Sequence, residues 1–342
     1  MGVRILQVGH GAFGARHAEA WASLGLEASL AICDASPEAR ARAAAAHPGA
    51  RVVDDWRAEL GSGAVVDVVA PTDANAAIAL AFVEAGHDVF IEKPAGRDAA
   101  EAARLRDAAA ARGRLVQVGF VLRFHPLAAR LKALVASGAL GRLRWIGADF
   151  LSLKRPRRDA GVVLNDAVHF LDLLLWIKGA PPGGAYAAMR DGLGRGLEDL
   201  ACAILDWPDG TLARLDASCV VAGEEADAFA PPGAWSRKRL DVAGTDGRAV
   251  ADFSTGELAF REARQEREGA DWRQVVGPWR RETHLATAVA PMLAAGFGSF
   301  LASRATRAAP EPGIGAGVAV AAACEAMFAA ARAGRRMEVQ VP

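Results

Sequence analysis

The sequence predicts an α/β domain with a parallel sheet, followed by an α+β domain with a large, mostly antiparallel open sheet. Up to residue 121, short apolar runs alternate with helix-forming segments, which is typical of βαβ units. The first run, Val3 to Val8, leads directly into a glycine-rich turn. From Leu143 onward, longer segments alternate polar and apolar residues and are joined by turns such as Pro208-Asp209-Gly210, a pattern that favours antiparallel strands. We therefore expect two domains, at residues 1–121 and 122–342.

Composition excludes several classes of partner. Of the 342 residues, 52% are hydrophobic, and 40 basic residues balance 40 acidic ones, so no global charge favours nucleic acid or an anionic membrane. The four cysteines show no metal-ligand spacing, which predicts no metal site and indicates a reducing compartment. The sequence shows no signal-peptide pattern, and its longest apolar stretches are interrupted by charges or glycines. A cytoplasmic protein is the expectation.

The turn after the first strand carries Gly9, Gly11 and Gly14 at the spacing G-x-G-x-x-G. In a dinucleotide-binding turn of this kind, Gly9 makes the tight bend, Gly11 lets the backbone approach a pyrophosphate, and Gly14 lets the next helix pack close to the strand. The helix that begins near Ala12 and Phe13 would direct its free N–H groups at the phosphates. The turn therefore predicts dinucleotide binding.

Asp34 ends the second apolar run, Ala28 to Cys33, and follows Gly14 by 20 residues. A carboxylate at this distance accepts hydrogen bonds from the adenosine ribose of a bound dinucleotide. Its negative charge would repel a 2′-phosphate, so the sequence predicts NAD rather than NADP as cofactor. Arg40 is the one nearby cation that could soften this preference.

Two further polar segments follow strands of the predicted parallel sheet, at the edge where ligands bind. Pro71 and Thr72 come after the fourth strand, and Glu92-Lys93-Pro94 follows the fifth. Because proline restricts the residue before it to an extended backbone, Lys93 would be held at this edge. Considered alone, a lysine before a proline is more often solvated at a strand-ending turn.

Taken together and in this order, these motifs resemble the Gfo/Idh/MocA family, named for glucose–fructose oxidoreductase, inositol dehydrogenase and a rhizopine-catabolism protein. The resemblance covers nearly the whole chain. Its segments are Gly9-x-Gly11-x-x-Gly14, Asp34, Ala70-Pro71-Thr72, Glu92-Lys93-Pro94, Val118-Gly119-Phe120, Arg123-Phe124-His125-Pro126, Gly161 to Asp172 and the helix Ala319 to Ala333.

The resemblance implies a Rossmann domain and a second domain that carries the substrate pocket and commonly an oligomer interface, so a homo-oligomer (dimer or tetramer) is expected. It also implies NAD(P)-dependent oxidation or reduction of a hydroxyl or carbonyl on a sugar, a cyclitol or a related molecule. By position, Lys93 matches the lysine of the E-K-P motif and His169 matches the catalytic histidine. The sequence departs from the family at Asn165, where aspartate is common and Asp166 follows, and at Asn75, where many members have histidine.

The residue types suit alcohol oxidation. An imidazole titrates near neutrality, so His169 would be the general base in oxidation and the acid in reduction. The Lys93 ammonium would stabilise the developing alkoxide. Asn165 lies four residues before His169 on the same predicted helix face and can orient a hydroxyl, but it cannot take a proton. Either Lys93 and His169 suffice, or Asp166 takes the missing role through a shifted register.

The remaining candidates leave alternatives open. Pro71, Thr72, Asn75, Glu92 and Lys93 are expected along the cofactor. Arg123 and His125 could bind substrate or tie the domain crossing.

The basic run Lys154 to Arg158 could be solvated or could bind an acidic substrate. The predicted function is an NAD-dependent sugar or cyclitol oxidoreductase. The alternatives are a glycosidase that acts by transient oxidation with retained NAD, and a nucleotide-loaded sensor without turnover.

Overall fold

The computed structural model describes residues 2–227, 233–284 and 288–342. These residues form two compact units. The first comprises the chain up to residue 121 together with residues 289–321 and Pro342, and the second comprises residues 122–288 and 322–341. The predicted division at 121/122 assigned residues 289–321 to the second domain, whereas the structure packs them in the first unit.

The described residues contain eight α-helices and seventeen strands. The helices are α1 Ala12–Ser23, α2 Pro37–Ala46, α3 Thr72–Glu84, α4 Ala99–Arg112, α5 Pro126–Ala136, α6 Val168–Lys178, α7 Val289–Thr306 and α8 Ile314–Ala333. The strands are β1 Ile5–Val8, β2 Leu30–Cys33, β3 Arg51–Val53, β4 Val65–Val68, β5 Val89–Ile91, β6 Val116–Val118, β7 Leu143–Leu153, β8 Gly184–Arg190, β9 Leu200–Asp206, β10 Leu212–Ser218, β11 Glu225–Ala226, β12 Trp235–Gly244, β13 Gly247–Asp252, β14 Glu257–Glu268, β15 Asp271–Val276, β16 Arg280–Thr283 and β17 Met337–Glu338.

The first unit is built on a six-stranded parallel sheet in the order β3-β2-β1-β4-β5-β6. Every residue of β1, β2, β4, β5 and β6 is buried, as expected for parallel strands with helices on both faces. The strand order reverses between β1 and β4, where the loops after the two strands leave in opposite directions. This is the dinucleotide-binding topology, and it confirms the predicted α/β domain.

Local sequence explains where several helices begin and end. At the start of α2, the Ser36 hydroxyl accepts the N–H of Ala39 at 3.2 Å and Pro37 occupies the first helical position. The carboxylate of Asp98 accepts the N–H of Glu101 at 2.6 Å and begins α4, which ends at Gly113 in the left-handed conformation.

Aromatic packing explains why residues 289–321 return to the first unit. The ring of Phe297 in α7 stacks on the indole of Trp21 in α1, with centroids 3.9 Å apart, and meets the ring of Phe90 in β5 edge-on at 4.9 Å. Phe300, one turn later, also lies against Phe90. Trp21, Phe297 and Phe300 are completely buried, so α7 completes the core of this unit.

The second unit is built on an eleven-stranded sheet. Its strands follow the order β15-β14-β13-β12-β7-β10-β9-β8-β17, with β11 paired to β12 and β16 paired to β14. All pairs are antiparallel except β7 with β10. The predicted antiparallel sheet is therefore confirmed, and Pro208–Gly210 joins β9 to β10 as expected.

The two faces of this large sheet differ. Helices α5 and α6 pack on one face, where Ile146, Ala148 and Phe150 of β7 are buried. The opposite face carries the alternate residues of the same strands, several of them large, apolar and exposed: Trp145, Tyr186, Ile204, Leu212 and Trp235. This arrangement agrees with the predicted open sheet of an α+β domain.

Helix α8 is long and apolar enough to cross a membrane by length and composition, a property that the sequence analysis did not find. In the structure, 56% of its most apolar window is buried inside the protein. A core helix of this length passes the same test, because it also needs apolar residues on most of its surface.

Candidate active site

The glycine turn has the geometry that its spacing predicts. Gly9 has φ +104°, and a Cβ there would lie 2.4 Å from the carbonyl oxygen of Val69. A Cβ at Gly14 would lie 2.4 Å from the carbonyl oxygen of Gly9, whereas a Cβ at Gly11 would meet no atom within 4 Å. Gly9 and Gly14 are thus required for close packing within the protein, and Gly11 leaves open space beside the turn.

A side chain that the sequence analysis missed holds this turn together. Gln7, the one polar residue of β1, is fully buried, and its Nε2 donates to the carbonyl oxygens of Gly9 at 2.8 Å and Gly14 at 2.9 Å. The sequence feature that could have identified Gln7 is a polar residue within an apolar strand, directly before the glycines.

Asp34 follows β2 and is fixed beside the glycine turn. Its Oδ2 accepts the backbone N–H of His10 at 2.6 Å, and its Oδ1 accepts the N–H of Ser36 at 2.8 Å. Arg40 donates from Nη1 to the carbonyl oxygens of Asp34 and Ala35, at 2.9 Å each. The Asp34 side chain therefore lies next to the glycine turn, at the edge formed by the C-terminal ends of the strands. Arg40 is held beside Asp34, as the sequence suggested.

Pro71 and Thr72 begin α3 after β4, and the first turn of this helix carries Asn75. Asn75 is buried, and its Nδ2 donates to the carbonyl oxygen of Glu92 at 2.6 Å. The asparagine that departs from the family's common histidine thus supports the backbone directly before Lys93.

The Glu92-Lys93-Pro94 segment lies at the carboxyl end of β5 and contains a cis peptide bond before Pro94. Glu92 is buried, and its Oε2 accepts the backbone N–H of Lys93 at 3.1 Å. A Cβ at Gly119 would lie 2.1 Å from the Glu92 Oε1, so a larger residue there would displace the Glu92 carboxylate. Lys93 itself is partly exposed, at the sheet edge where the sequence predicted it.

In the second unit, the predicted histidine helix begins with a π-helical segment, Val163–Ala167, and continues as α6. The N–H of Val168 donates to the carbonyl oxygen of Val163, five residues earlier. The continuous α-helical spacing predicted between Asn165 and His169 is therefore wrong for this turn. Glu198 shapes the start of the segment, because its Oε1 accepts the N–H of Val163 at 3.0 Å.

Asp166 and Asn165 contact each other within the π-helical segment. Asp166 is buried, and its Oδ1 accepts Nδ2 of Asn165 at 2.9 Å and pairs with Nζ of Lys154 at 2.5 Å. Its Oδ2 has no hydrogen-bond partner among the described residues. The first residue of the predicted basic run is thus an ion-pair partner of a candidate site residue rather than a solvated charge.

His169 lies beside an aromatic ring flanked by two ammonium groups. Its imidazole is nearly parallel to the ring of Phe150 in β7, with an interplanar angle of 17° and centroids 6.1 Å apart. The Nζ atoms of Lys154 and Lys238 lie 5.5 and 5.0 Å from the centroid of the same ring. Burial lowers the pKa of Lys238, although its ion pair with Asp227 at 2.7 Å acts in the opposite direction.

Arg123 and His125 both have structural contacts. Arg123 is buried and forms a bidentate ion pair with Asp172 in α6, with Nε–Oδ2 at 2.8 Å and Nη2–Oδ1 at 2.6 Å. His125 is buried, and its Nδ1 accepts the N–H of Leu127 at the start of α5. Burial lowers the pKa of His125 to about 4. Their predicted substrate contacts stay predictions.

The predicted site residues thus form two groups. Those from Gly9 to Lys93 meet at the carboxyl edge of the parallel sheet in the first unit, and those from Arg123 to His169 belong to the second unit. Among residues 2–227, 233–284 and 288–342, no cluster of three or more histidine, cysteine or acidic side chains could hold a metal ion.

Comparison with known proteins identifies the family. The family description "Oxidoreductase family, NAD-binding Rossmann fold" matches residues 3–120, and "GFO/IDH/MocA C-terminal domain" matches residues 128–250. The chain belongs to the Gfo/Idh/MocA family. The first 120 residues therefore contain an NAD-binding Rossmann domain, which confirms the predicted fold and cofactor.

Two curated relatives show the range of named activities. The chain is 32% identical over 222 residues to UDP-N-acetylglucosamine 3-dehydrogenase of Acidithiobacillus ferrooxidans, a match that covers 64% of this chain and 66% of the relative. It is 30% identical over 225 residues to inositol 2-dehydrogenase 2 of Saccharopolyspora erythraea, covering 63% of this chain and 66% of that protein. The matched region thus spans slightly less than two thirds of each relative.

Solved structures agree with this fold over nearly the whole chain. Levoglucosan dehydrogenase in complex with NADH and levoglucosan has a TM-score of 0.84 at 20% identity, covering 99% of this chain and all of that one. UDP-N-acetylglucosamine 3-dehydrogenase from Acidithiobacillus ferrooxidans has a TM-score of 0.78 at 26% identity, covering 97% of this chain and 98% of that one. The fold is therefore shared with these structures over nearly the whole chain.

Proposed function

We propose that this protein is an NAD-dependent oxidoreductase that transfers a hydride between nicotinamide and the CH–OH or carbonyl carbon of a sugar, cyclitol or sugar derivative. The observation that carries the proposal is the pairing of an NAD-binding Rossmann domain bearing Lys93 with a family second domain bearing His169. The relatives named above are dehydrogenases of an inositol, an anhydrosugar and a sugar nucleotide.

The first unit fits NAD on its own geometry. Gly11 leaves open space beside the turn, the first N–H groups of α1 lie directly after it, and the Asp34 carboxylate is fixed at the neighbouring strand end. NAD, when bound, supplies the hydride acceptor. Gly9, Gly11, Ala12, Phe13 and Gly14 would hold its pyrophosphate.

Further along the same sheet edge, Asp34 would hold the ribose of the cofactor, which favours NAD over NADP. Pro71, Thr72, Asn75, Glu92 and Lys93 would line it at the ends of β4 and β5.

Lys93 and His169 divide the proton chemistry. In oxidation, the Lys93 ammonium donates a hydrogen bond to the substrate oxygen and stabilises the negative charge that develops there. His169 takes the hydroxyl proton and returns it in the reverse direction. Substitution of a single group of this kind typically costs ~10²-fold or more in rate.

For the carboxylate that family members commonly place near the histidine, we propose Asp166. It is buried, three residues before His169, with one oxygen held by Asn165 and Lys154 and the other without a described partner. Asn165 would orient a substrate hydroxyl or Asp166 itself. This assignment takes up the second alternative raised by the sequence, in which the aspartate acts from a neighbouring position.

The direct test is spectrophotometric. Purified protein is incubated with NAD and a panel containing myo-inositol, levoglucosan, UDP-N-acetylglucosamine and simple polyols, and NADH is followed by absorbance. We expect turnover with at least one class, and Lys93→Ala should lose activity by ~10²-fold or more with NADH affinity retained. Lys132→Ala is the matched control. In the wild type, the Lys132 ammonium donates to the backbone carbonyl oxygen of Trp176 at 2.7 Å.

The same assay separates the alternatives. Release of free sugar from a glycoside with no net NADH would indicate the glycosidase mechanism instead. NADH binding without turnover on any substrate would indicate a sensor. Comparison of Asp166→Asn with Asn165→Ala identifies the important side chain of the pair: the larger fall in kcat should come from Asp166→Asn, and the reverse order would contradict the assignment.

We also propose a homo-oligomer formed through the open face of the large sheet. Its exposed apolar side chains lie among ion pairs such as Arg214 with Asp149 and Asp216, a mixture suited to a second copy of the same face. Light scattering should give the mass of a dimer or tetramer, and a monomer at micromolar concentration would contradict the proposal.

A cytoplasmic location is proposed as well, since all four cysteines are free thiols. Cell fractionation followed by immunoblotting would test it.

A further inference from the structure

A histidine that neither the sequence analysis nor the proposed mechanism uses lies beneath the Glu92-Lys93-Pro94 segment. His17, in the second turn of α1, is completely buried. Its Nδ1 lies 3.0 Å from Oδ2 of Asp67, and its Nε2 lies 3.3 Å from Oε1 of Glu92. Both ring nitrogens therefore face carboxylates, one from β4 and one from the end of β5.

The described neighbours of His17 other than these two acids include three aromatic rings. The rings of Phe13, Phe90 and Phe297 lie around the imidazole with centroids 5.1, 6.0 and 5.3 Å away. The charged groups that face it are Asp67 and Glu92. Such an apolar enclosure makes a carboxylate without a charge partner costly, so a cation between the two acids stabilises both.

The charge state of His17 follows from these contacts. Burial alone would lower its pKa, but the attraction and hydrogen bond of Asp67, followed by those of Glu92, raise the pKa to about 9. At neutral pH the ring is an imidazolium that can donate from both nitrogens. Trp21 adds a further donor to Asp67, with Nε1–Oδ2 at 2.8 Å.

Glu92 connects this cation to the backbone of Lys93. One carboxylate oxygen of Glu92 faces His17, and the other accepts the N–H of Lys93. The missing Cβ of Gly119 leaves room for the same carboxylate, and Asn75 holds the carbonyl of Glu92. The backbone at Lys93 is thus fixed by two hydrogen bonds of Glu92, one from the Lys93 N–H to its side chain and one from Asn75 to its carbonyl oxygen.

We propose that His17 is a positioning residue for Lys93: an imidazolium, buried between Asp67 and Glu92, that holds the Glu92 carboxylate against the backbone N–H of the lysine. The inference rests on the proposed function, because Lys93 must act on substrate for the positioning to affect rate. Without the cation, the buried Glu92 carboxylate loses its charge partner and turns away, and the Lys93 N–H loses its acceptor.

The test compares His17→Gln with His87→Gln. Glutamine keeps hydrogen-bonding capacity but cannot carry the charge. His87 is the matched control, since it is a buried histidine of the same unit whose ring nitrogens bind the carbonyl oxygens of Ala64 at 2.8 Å and Leu60 at 2.7 Å. The variant His87→Gln therefore measures how far kcat, the Kd for NADH and amide exchange change when any buried imidazole of this unit is replaced.

Three measurements are made on both variants: kcat against pH, the Kd for NADH, and hydrogen exchange of the Lys93 amide. For His17→Gln we expect kcat to fall at least 10-fold across the pH range, while the Kd for NADH stays within about 2-fold. The Lys93 amide should exchange at least 10-fold faster. His87→Gln should leave all three within about 2-fold.

Rescue gives a second criterion. The double variant His17→Gln/Glu92→Gln removes the charge of Glu92 while keeping an acceptor for the Lys93 N–H, so it should recover part of kcat. An unchanged Lys93 amide in His17→Gln, or an equal effect in His87→Gln, would overturn the inference.

If the wild type shows no turnover on any substrate, the proposed function fails. Faster exchange of the Lys93 amide in His17→Gln would still support the positioning.

Discussion

Alanine substitutions at Gly11 and Gly14 should separate cofactor binding from folding, although the two glycines are only three residues apart. At Gly14, the added Cβ would lie 2.4 Å from the carbonyl oxygen of Gly9, roughly 1 Å closer than ordinary contact. The carbonyl cannot retreat easily, because Gly9 is itself packed against the backbone of Val69. Overpacking of this kind costs about 1–3 kcal/mol, or about 2–4 °C in Tm for each kcal/mol in a domain of this size.

At Gly11, the added Cβ meets nothing within 4 Å, and the residue has φ −70°, which alanine adopts readily. Alanine is less favourable than glycine at the residue before a helix, which lowers the free energy of unfolding by about 0.5–1 kcal/mol. Alanine also makes the unfolded chain less flexible, which raises the free energy of unfolding by about the same amount. The free energy of unfolding should therefore change by less than about 1 kcal/mol. The new methyl group would occupy the approach of the pyrophosphate, and we expect the Kd for NADH to rise by about 10-fold or more, that is by about 1.4 kcal/mol.

The assay pairs thermal unfolding with titration of NADH fluorescence. Gly61→Ala is the control, because its Cβ also meets nothing within 4 Å and it precedes β4 at the opposite edge of the sheet. Neither the Tm nor the Kd for NADH should change in Gly61→Ala. The reasoning is refuted if Gly11→Ala binds NADH as tightly as the wild type, or if Gly14→Ala keeps the wild-type Tm.

Two further predictions concern buried charges. Arg123→Met leaves Asp172 buried without its bidentate partner and should lower the free energy of unfolding by about 3–5 kcal/mol in urea, with much of it recovered in Arg123→Met/Asp172→Leu. A raised KM with unchanged stability would instead assign Arg123 to substrate binding, the alternative left open by the sequence. For His17, the pKa of about 9 in the folded state lies above the ordinary 6.5, so its proton stabilises the fold fully below pH 6.5, and this stabilisation is lost as the pH rises through about 9. The wild type should therefore lose about 3 kcal/mol more than His17→Gln between pH 6.5 and 9.5 in denaturant titrations, and parallel pH profiles would contradict the assigned charge.

The parts of the protein that could be predicted from sequence are those determined by neighbours along the chain. The turn Gly9–Gly14 and the acid at Asp34 are local patterns, and each has the predicted geometry. The partners of His17, Asp67 and Glu92, lie 50 and 75 residues further along the chain, and a single sequence does not encode those pairings in any local pattern. His17 was therefore indistinguishable from an ordinary core residue.

Two features of the second unit have no matching pattern in the sequence. Strand β14 places charged residues on both of its faces between Arg261 and Glu268, so it lacks the alternation by which strands are recognised. The π-helical turn before His169 depends on contacts with Glu198 and Lys154, and helical periodicity alone predicts a regular α-helix there.

The return of α7 to the first unit limits how this protein can be dissected. A fragment ending at residue 121 would carry every glycine and acid of the nucleotide motif, yet Phe297 would no longer cover the indole of Trp21 or the ring of Phe90. Such a fragment should expose these aromatic surfaces and aggregate. A nucleotide-binding module that can be expressed alone would need residues 289–321 joined to it by a linker.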